Sequence, residues 1–391
     1  MGAVGARVDT PVLVVGAGPA GLAVAASLRR RGVEALLVDR GTAVGDSWRG
    51  RYDRLHLHTP RMQSGLPGLR IPRSAGRWVA RDDMVTYLGD YAAHHRLEPR
   101  FGTQVRRLDR DGDGWTAETD DAPLRADQVV LASGFNSEPV VPAWPGVDSY
   151  AGTLLHASGY ANPAPFAGKD VLVVGAGNTG AEIAADLAAG GAGRVRLAVR
   201  TPPNVIPRQL GPVPITMLGI SLDYSPAWLA DPLNRFLQRR FVGDLTRYGL
   251  PAPPGGVVAQ QRATGVTPTI DVGLIAELKA GRVTPVATVD RFEGREVVLA
   301  DGSRLAPDVV IAATGYSAAL EPVVGHLGVL DDRGRPVVRG ARTHSGAPGV
   351  RFVGLSNPLK GLLFQISLDA RAAARAVARE LDRTAQGAGS R

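Results

Sequence analysis

Val12-Leu13-Val14-Val15-Gly16-Ala17-Gly18 decides the fold, because the same seven residues return as Val171–Gly177. Each copy continues as a glycine fingerprint, Gly16-x-Gly18-x-x-Gly21 and Gly175-x-Gly177-x-x-Gly180. In such a unit a buried parallel strand runs into a tight turn made by the first glycine. The second glycine lets the backbone approach a pyrophosphate, and the third lets the next helix close onto the strand with its N-terminus towards the phosphates. The Val-rich runs Thr10–Val15 and Asp170–Val174 predict the strands, and Pro19–Arg31 and Thr179–Ala189 the helices. Pro19 and Ala20 in the first copy, and Asn178 and Thr179 in the second, fall at the phosphate end. The expectation is an α/β chain with two Rossmann-like dinucleotide-binding domains, built to move electrons between two dinucleotides.

The copies differ where different ligands would require it. The next strand of the first unit, Glu34–Val38, ends in Asp39 and Arg40; that of the second, Arg194–Val199, ends in Arg200 and Thr201. An acid at this place accepts hydrogen bonds from an adenosine ribose, whereas a base suits a 2′-phosphate. FAD has no 2′-phosphate and NADPH has one. The first unit therefore reads as the FAD site and the second as the NADPH site, against the plainer reading of Arg200 as one more surface arginine.

Composition narrows the choice. The 391 residues suffice for two or three domains, and 44% hydrophobic with 21% charged residues is ordinary for a globular protein. The net charge of +8 comes almost wholly from arginine, since lysine occurs only at Lys169, Lys279 and Lys360. The arginines are dispersed and no nucleic-acid motif accompanies them, so nucleic acid is not expected as a partner. There is no cysteine, which removes disulfides, thiolate metal sites and any internal cysteine pair as electron acceptor. The apolar run Pro11–Leu28 is accounted for by a Rossmann strand and helix, no membrane span is expected, and the cytoplasm is the default location.

Along the chain, Thr103–Arg125 predicts a small hairpin or meander, with Val105, a candidate cofactor-binding residue, near its start and Asp-Gly turns at Asp111-Gly112 and Asp113-Gly114. A buried strand, Asp127–Leu131, ends in Ala132-Ser133-Gly134. A matching strand, Asp308–Ala312, ends in Ala313-Thr314-Gly315-Tyr316, and a last strand, Val350–Val353, ends at Gly354. Small residues there let the chain pass close to a cofactor. A helix is expected to begin near Leu362, and the chain is read as ending in a charged helix over Leu368–Arg383 and a short flexible tail. The NADPH domain is expected as an insertion in the FAD domain, with crossings near Gly152–Gly168 and Asp301–Pro307. The expected division is residues 1–152 and 306–391 for FAD, and 153–305 for NADPH with an apolar insertion at 211–262. Within that insertion Gly211–Leu229, with its three prolines, reads as an irregular lid in which Leu218 and Trp228 set substrate range. A contact between domains or between copies of a homodimer is the competing reading.

Further segments resemble a known family. Tyr150-Ala-Gly152-x-x-x-His156-x-x-x-Tyr160 resembles the FxGxxxHxxx(Y/F) signature of flavin-containing monooxygenases, with Tyr for the first Phe. Its Tyr160-Ala161 ending departs from the Baeyer–Villiger subgroup. The segment from Gly45 through Ser47, Trp48, His58 and Thr59 to Arg61 resembles the family's flavin-ring segment, and Ala313–Tyr316 resembles its ATGY element. Val199–Arg208, Tyr248–Leu250 and Thr267–Gly273 are similar to stretches of YUCCA-type indole-3-pyruvate monooxygenases. The resemblance implies hydride transfer from NADPH to FAD, reaction with molecular oxygen to a flavin C4a-(hydro)peroxide, and oxygenation of a small organic substrate at an amine or sulfur atom or at a carbonyl. A flavin oxidase or reductase passing electrons to oxygen or a partner is the alternative. His58 is the candidate catalytic residue, either hydrogen-bonding the peroxide or only contacting FAD. Arg208 pairs with NADPH, a substrate carboxylate or a surface acid. His156 is expected to organise the linker. No metal site or hydrolase triad is expected.

Overall fold

The computed structural model describes residues 8–217, 220 and 225–389, so Leu218 lies outside the described residues. Both predicted strand–turn–helix units form: Val8–Val15 with helix Pro19–Arg29, and Asp170–Val174 with helix Asn178–Ala189.

The first sheet runs in the order Leu36–Val38, Val8–Val15, Leu124–Leu131, Gly114–Thr119, Val105–Asp111. Its first three strands are parallel and the meander is antiparallel. Leu124–Leu131 is shared: its first residues pair with Trp115–Ala117, its last with Val350–Phe352. The second sheet is wholly parallel, in the order Val283–Ala287, Arg194–Val199, Asp170–Val174, Val309–Ala312, Thr153–His156. All the strands of the second sheet thus lie in sequence between Leu131 and Val350.

The return crossing differs from the expectation. Val309–Ala312 sits between Asp170–Val174 and Thr153–His156 in the second sheet, so the chain returns to the first sheet after Ala312 and not at Asp301–Pro307. A fully apolar buried strand carries no mark of which parallel sheet it joins. Just beyond it, Tyr316–Ser317 pairs with Glu138–Pro139, so the two crossings touch.

Period-two alternation explains how each fingerprint strand sits in two cores. Val12 and Val14 join the cluster formed with helix Pro19–Arg29, helix Arg81–His94 and the C-terminal helix Leu362–Gly389. Leu13 enters the opposite cluster with Trp115 and Phe352. In the second sheet Val171 and Val173 face helix Asn178–Ala189, while Leu172 and Val174 face the antiparallel strands Val289–Glu293 and Glu296–Leu299. The C-terminal helix starts at Leu362, as expected, and runs to Gly389; Ala370, Ala373, Ala374 and Val377 form its buried stripe in the cluster with Ala23 and Ala26.

Among its described residues, the expected irregular lid Gly211–Leu229 includes half of a short hairpin, Gln209–Leu210 with Val213–Pro214, and the start of a helix, Ala227–Phe241, hereafter the outer helix. Pro226 is the cap preceding this helix, a position where a missing N–H costs nothing, so the proline that suggested irregularity starts the helix. No helix among the described residues is long and apolar enough to cross a membrane.

Candidate active site between the two fingerprints

The two fingerprints carry out the glycine logic atom for atom. Gly16 and Gly175 have φ of +105° and +113°, and a Cβ on either would press on the carbonyl oxygen of Ala132 or Ala313. A Cβ on Gly21 or Gly180 would overlap the carbonyl of Gly16 or Gly175. Gly18 and Gly177 are different: a Cβ there meets nothing within 4 Å. These open positions cap the two helices without any side-chain hydrogen bond, leaving first-turn N–H groups for a pyrophosphate. That cradle, repeated, fits two dinucleotides.

The strand ends fit the assigned partners. Asp39 accepts from the N–H of Ala17 at 2.6 Å and of Gly41 at 2.7 Å, which fixes its carboxylate beside the first fingerprint turn. Each oxygen retains a lone pair for a ribose hydroxyl. Arg40 donates to the Ser137 carbonyl at 2.9 Å. Arg200 and Thr201 are exposed, and neither has a hydrogen bond or ion pair among the described residues. Asn178 accepts from the Ile270 N–H at 2.7 Å and donates to the Pro268 carbonyl at 3.2 Å, tying Thr267–Gly273 to the second fingerprint.

Several predicted residues converge on these turns. Ala132 donates to Val15 at 2.8 Å and Ala313 to Val174 at 2.9 Å. Gly134 and Gly315, both at φ +93°, follow directly, with Ser133 and Thr314 beside them. Thr314 bonds the Val140 carbonyl. Gly354, at φ +77°, lies so close to Ala20 that a Cβ would collide with it. Val105 is elsewhere: its side chain is buried in the cluster with Leu13 and Val38.

His156 organises the linker. Its Nδ1 accepts from the Ser158 N–H at 3.0 Å and its Nε2 donates to the Gly315 carbonyl at 3.0 Å; its ring meets Tyr316 edge-on at 4.9 Å. Burial holds its pKa below the ordinary value. Tyr150 folds back over Gly152 and donates to the Pro307 carbonyl at 2.9 Å, so a side chain on Gly152 would displace it.

The segment running from Ser47 and Trp48 to Thr59 joins the two units. Trp48 packs on the first core, whereas Tyr52, four residues on, is buried in the second, 6.4 Å from the Tyr160 ring. Ser47 is exposed and its carbonyl accepts from Arg51 at 3.1 Å. Arg54 reaches Asp186 at 3.5 Å and donates to the Val272 carbonyl at 3.0 Å. Thr59 bonds Ser64 at 2.7 Å and abuts Gly361. His58 Nε2 stands 2.9 Å from Glu182 Oε1, and its buried Nδ1 has no partner. Glu182 is 3% exposed on the second fingerprint helix. Burial first, then the charge of and hydrogen bond to Glu182, push the Tyr52 hydroxyl well above its usual pKa. Arg208 donates to the Leu57 carbonyl at 2.6 Å and lies 4.1 Å over the Trp78 ring; its buried Nε has no partner. Burial lowers its pKa to about 10, with Glu182 opposing.

Sequence reasoning missed Glu182, Tyr52 and Trp78. Glu182 carried a usable signal: a carboxylate between Ala181 and Ile183 on the buried stripe of a helix requires a partner. Tyr52 and Trp78 carried none, because their neighbours come from remote parts of the chain.

The fold class agrees with known proteins. The pyridine nucleotide-disulphide oxidoreductase family model matches residues 13–208. The probable indole-3-pyruvate monooxygenase YUCCA3 of Arabidopsis thaliana is 34% identical over 384 residues, covering 95% of this chain and 87% of that one. The indole-3-pyruvate monooxygenase YUCCA1 of Oryza sativa is 37% identical over 311 residues, covering 78% and 76%. Among solved structures, the flavin-containing monooxygenase of Stenotrophomonas maltophilia superposes with a TM-score of 0.72 at 25% identity, covering 96% of this chain and 99% of that one. A cyclohexanone monooxygenase, at 19% identity and TM-score 0.74, shares the fold. The chain belongs to the flavin-containing monooxygenase family, together with the YUCCA-type indole-3-pyruvate monooxygenases. It is a flavoprotein monooxygenase that uses FAD and NADPH.

Proposed function

We propose that the oxygenated substrate is a small 2-oxo acid and that Arg208 receives its carboxylate. The observation that carries this reading is the half-buried guanidinium of Arg208, whose Nε has no partner beside His58 and Glu182. A desolvated cation with a free donor is a receptor for an anion. Trp78 beneath it offers an apolar surface for the substrate's side chain. Relatives at 34–37% identity act on indole-3-pyruvate, itself a 2-oxo acid.

FAD, when bound, accepts hydride from NADPH and activates dioxygen; the protein's residues bind, orient and exclude water. Gly18 with Asp39 holds the FAD pyrophosphate and ribose, and Gly177 with Arg200 holds those of NADPH. The second sheet forms the NADPH-binding domain, inserted in an FAD-binding domain whose sheet uses strands from both sides of it. One oxygen atom enters the substrate and the other leaves as water. For a 2-oxo acid the products are carbon dioxide and the acid one carbon shorter.

NADPH oxidation should be stimulated by aromatic 2-oxo acids, with carbon dioxide released in step. Arg208→Gln should raise KM for the 2-oxo acid about tenfold or more and leave KM for NADPH unchanged. A rise in KM for NADPH alone would give Arg208 to the cofactor and remove the support for a 2-oxo acid.

A further inference from the structure

The outer helix Ala227–Phe241 is inside out. Two of its polar side chains point into the protein: Asp231 is 5% and Asn234 7% exposed. Asp231 accepts from the N–H groups of Val258 at 2.8 Å and Ala259 at 3.2 Å, capping helix Val257–Thr264. Gln238 donates to Asn204 and to the Val205 carbonyl, each at 3.2 Å. These bonds fix the rotation of the helix. The opposite face therefore carries Trp228, Leu229, Leu233 and Phe236, which are 77%, 58%, 55% and 64% exposed. At 100° per residue these four fall within one arc of about 140°. Isolated exposed apolar residues are ordinary, but a contiguous aromatic and aliphatic stripe marks a surface that meets something apolar.

The charges on the same face identify the occupant. Arg235 lies at the edge of this arc, and Arg239 and Arg240 lie within it towards the helix C-terminus; all three are exposed, and none is ion-paired among the described residues. The helix's only acid, Asp231, is buried. Against the same helix of a second copy, these arginines would find no exposed acid to receive them. A helix face on which Trp, Leu and Phe share the surface with long, unpaired arginines fits the boundary between acyl chains and acidic headgroups.

We propose that the outer helix seats the protein on an anionic lipid surface, with Trp228, Leu229, Leu233 and Phe236 entering the acyl boundary and Arg235, Arg239 and Arg240 meeting the headgroups. The helix lies along the surface and does not span it, consistent with its 15 residues.

The test uses the full-length FAD-loaded protein and vesicles of phosphatidylcholine, alone or mixed with phosphatidylglycerol, separated by flotation. The protein should float with the anionic vesicles at low salt, float weakly with phosphatidylcholine, and be released as salt rises. Trp228→Ser with Phe236→Ser should lower the partition coefficient about tenfold or more. Arg239→Gln with Arg240→Gln should lower it roughly fivefold per arginine on the anionic vesicles and hardly at all on phosphatidylcholine. Bound-FAD absorbance reports whether each variant is folded. Independently of folding losses, Trp228→Phe should keep partition while abolishing a vesicle-induced blue shift of tryptophan emission. No flotation of the parent protein with anionic vesicles overturns the proposal. So does a stable dimer that Trp228→Ser with Phe236→Ser converts to monomer, because a second copy is then the occupant.

Discussion

Gly18 and Gly21 stand three residues apart and answer to different physics. Gly21 touches the Gly16 carbonyl, so Gly21→Ala forces strand and helix apart and should cost about 2–3 kcal/mol of stability. Gly18 has φ −76° and open space around it, so Gly18→Ala should fold normally and fail only to hold FAD. Apoprotein melting temperature and FAD content separate the two: loss of both in Gly18→Ala would show that the open space is not the pyrophosphate cradle. His58 makes a second residue-scale case. His58→Ala leaves Glu182 buried with the Tyr52 hydroxyl and the charge of Arg208, at a cost of about 1–3 kcal/mol. It should also raise the share of NADPH electrons recovered as hydrogen peroxide. Unchanged peroxide release with a lowered melting temperature would reduce His58 to a structural contact. The glycines were legible in the sequence because their constraint is local, a turn within six residues. The His58–Glu182 pair was not, since 123 positions separate residues that only the meeting of two units brings together.

At the scale of elements, the last strand is fastened to the last helix through a buried charge. Arg351 is 0% exposed and donates to Gln128 at 2.6 Å and to Glu380 at 2.5 Å. Glu380→Ala leaves that guanidinium buried with only neutral partners, Gln128 and the carbonyls of Ala341 and Gly349, which should cost about 3 kcal/mol and loosen helix Leu362–Gly389. Hydrogen exchange along this helix reads the effect; uniform protection in the variant would show that apolar packing of Ala370 to Val377 suffices. The element boundaries legible in the sequence were those written in pattern, such as Arg194–Val199 and Asp170–Val174. The start of the outer helix was misread because Pro226 sits just before it, where a missing N–H is tolerated, and the helix also runs on through Pro232. The strand Val309–Ala312 was visible as a strand, but its sheet was not, because four apolar residues pair equally well on either side.

Across the whole molecule, acid sensitivity follows from two histidines. Burial holds the pKa of His95 and of His156 below the ordinary value of 6.5. Each therefore binds protons more readily in the unfolded chain, so stability is full above about pH 6.5 and is lost as pH falls towards their folded values. His95→Asn with His156→Gln should flatten the decline of melting temperature between pH 6.5 and lower values; an unaltered slope would assign it to carboxylates such as Asp46 and Glu277, whose pKa values are lowered.

The pairing of Val350–Phe352 with Leu124–Leu131 sets an order of events on the ribosome. The second sheet has its last strand by Ala312 and can close while synthesis continues. The first sheet, although begun at Val8, lacks its final strand and covering helix until almost the whole chain has emerged. Its half-built apolar face must wait, exposed, through some two hundred residues of elongation, and it is there that a chaperone has the longest opportunity to act.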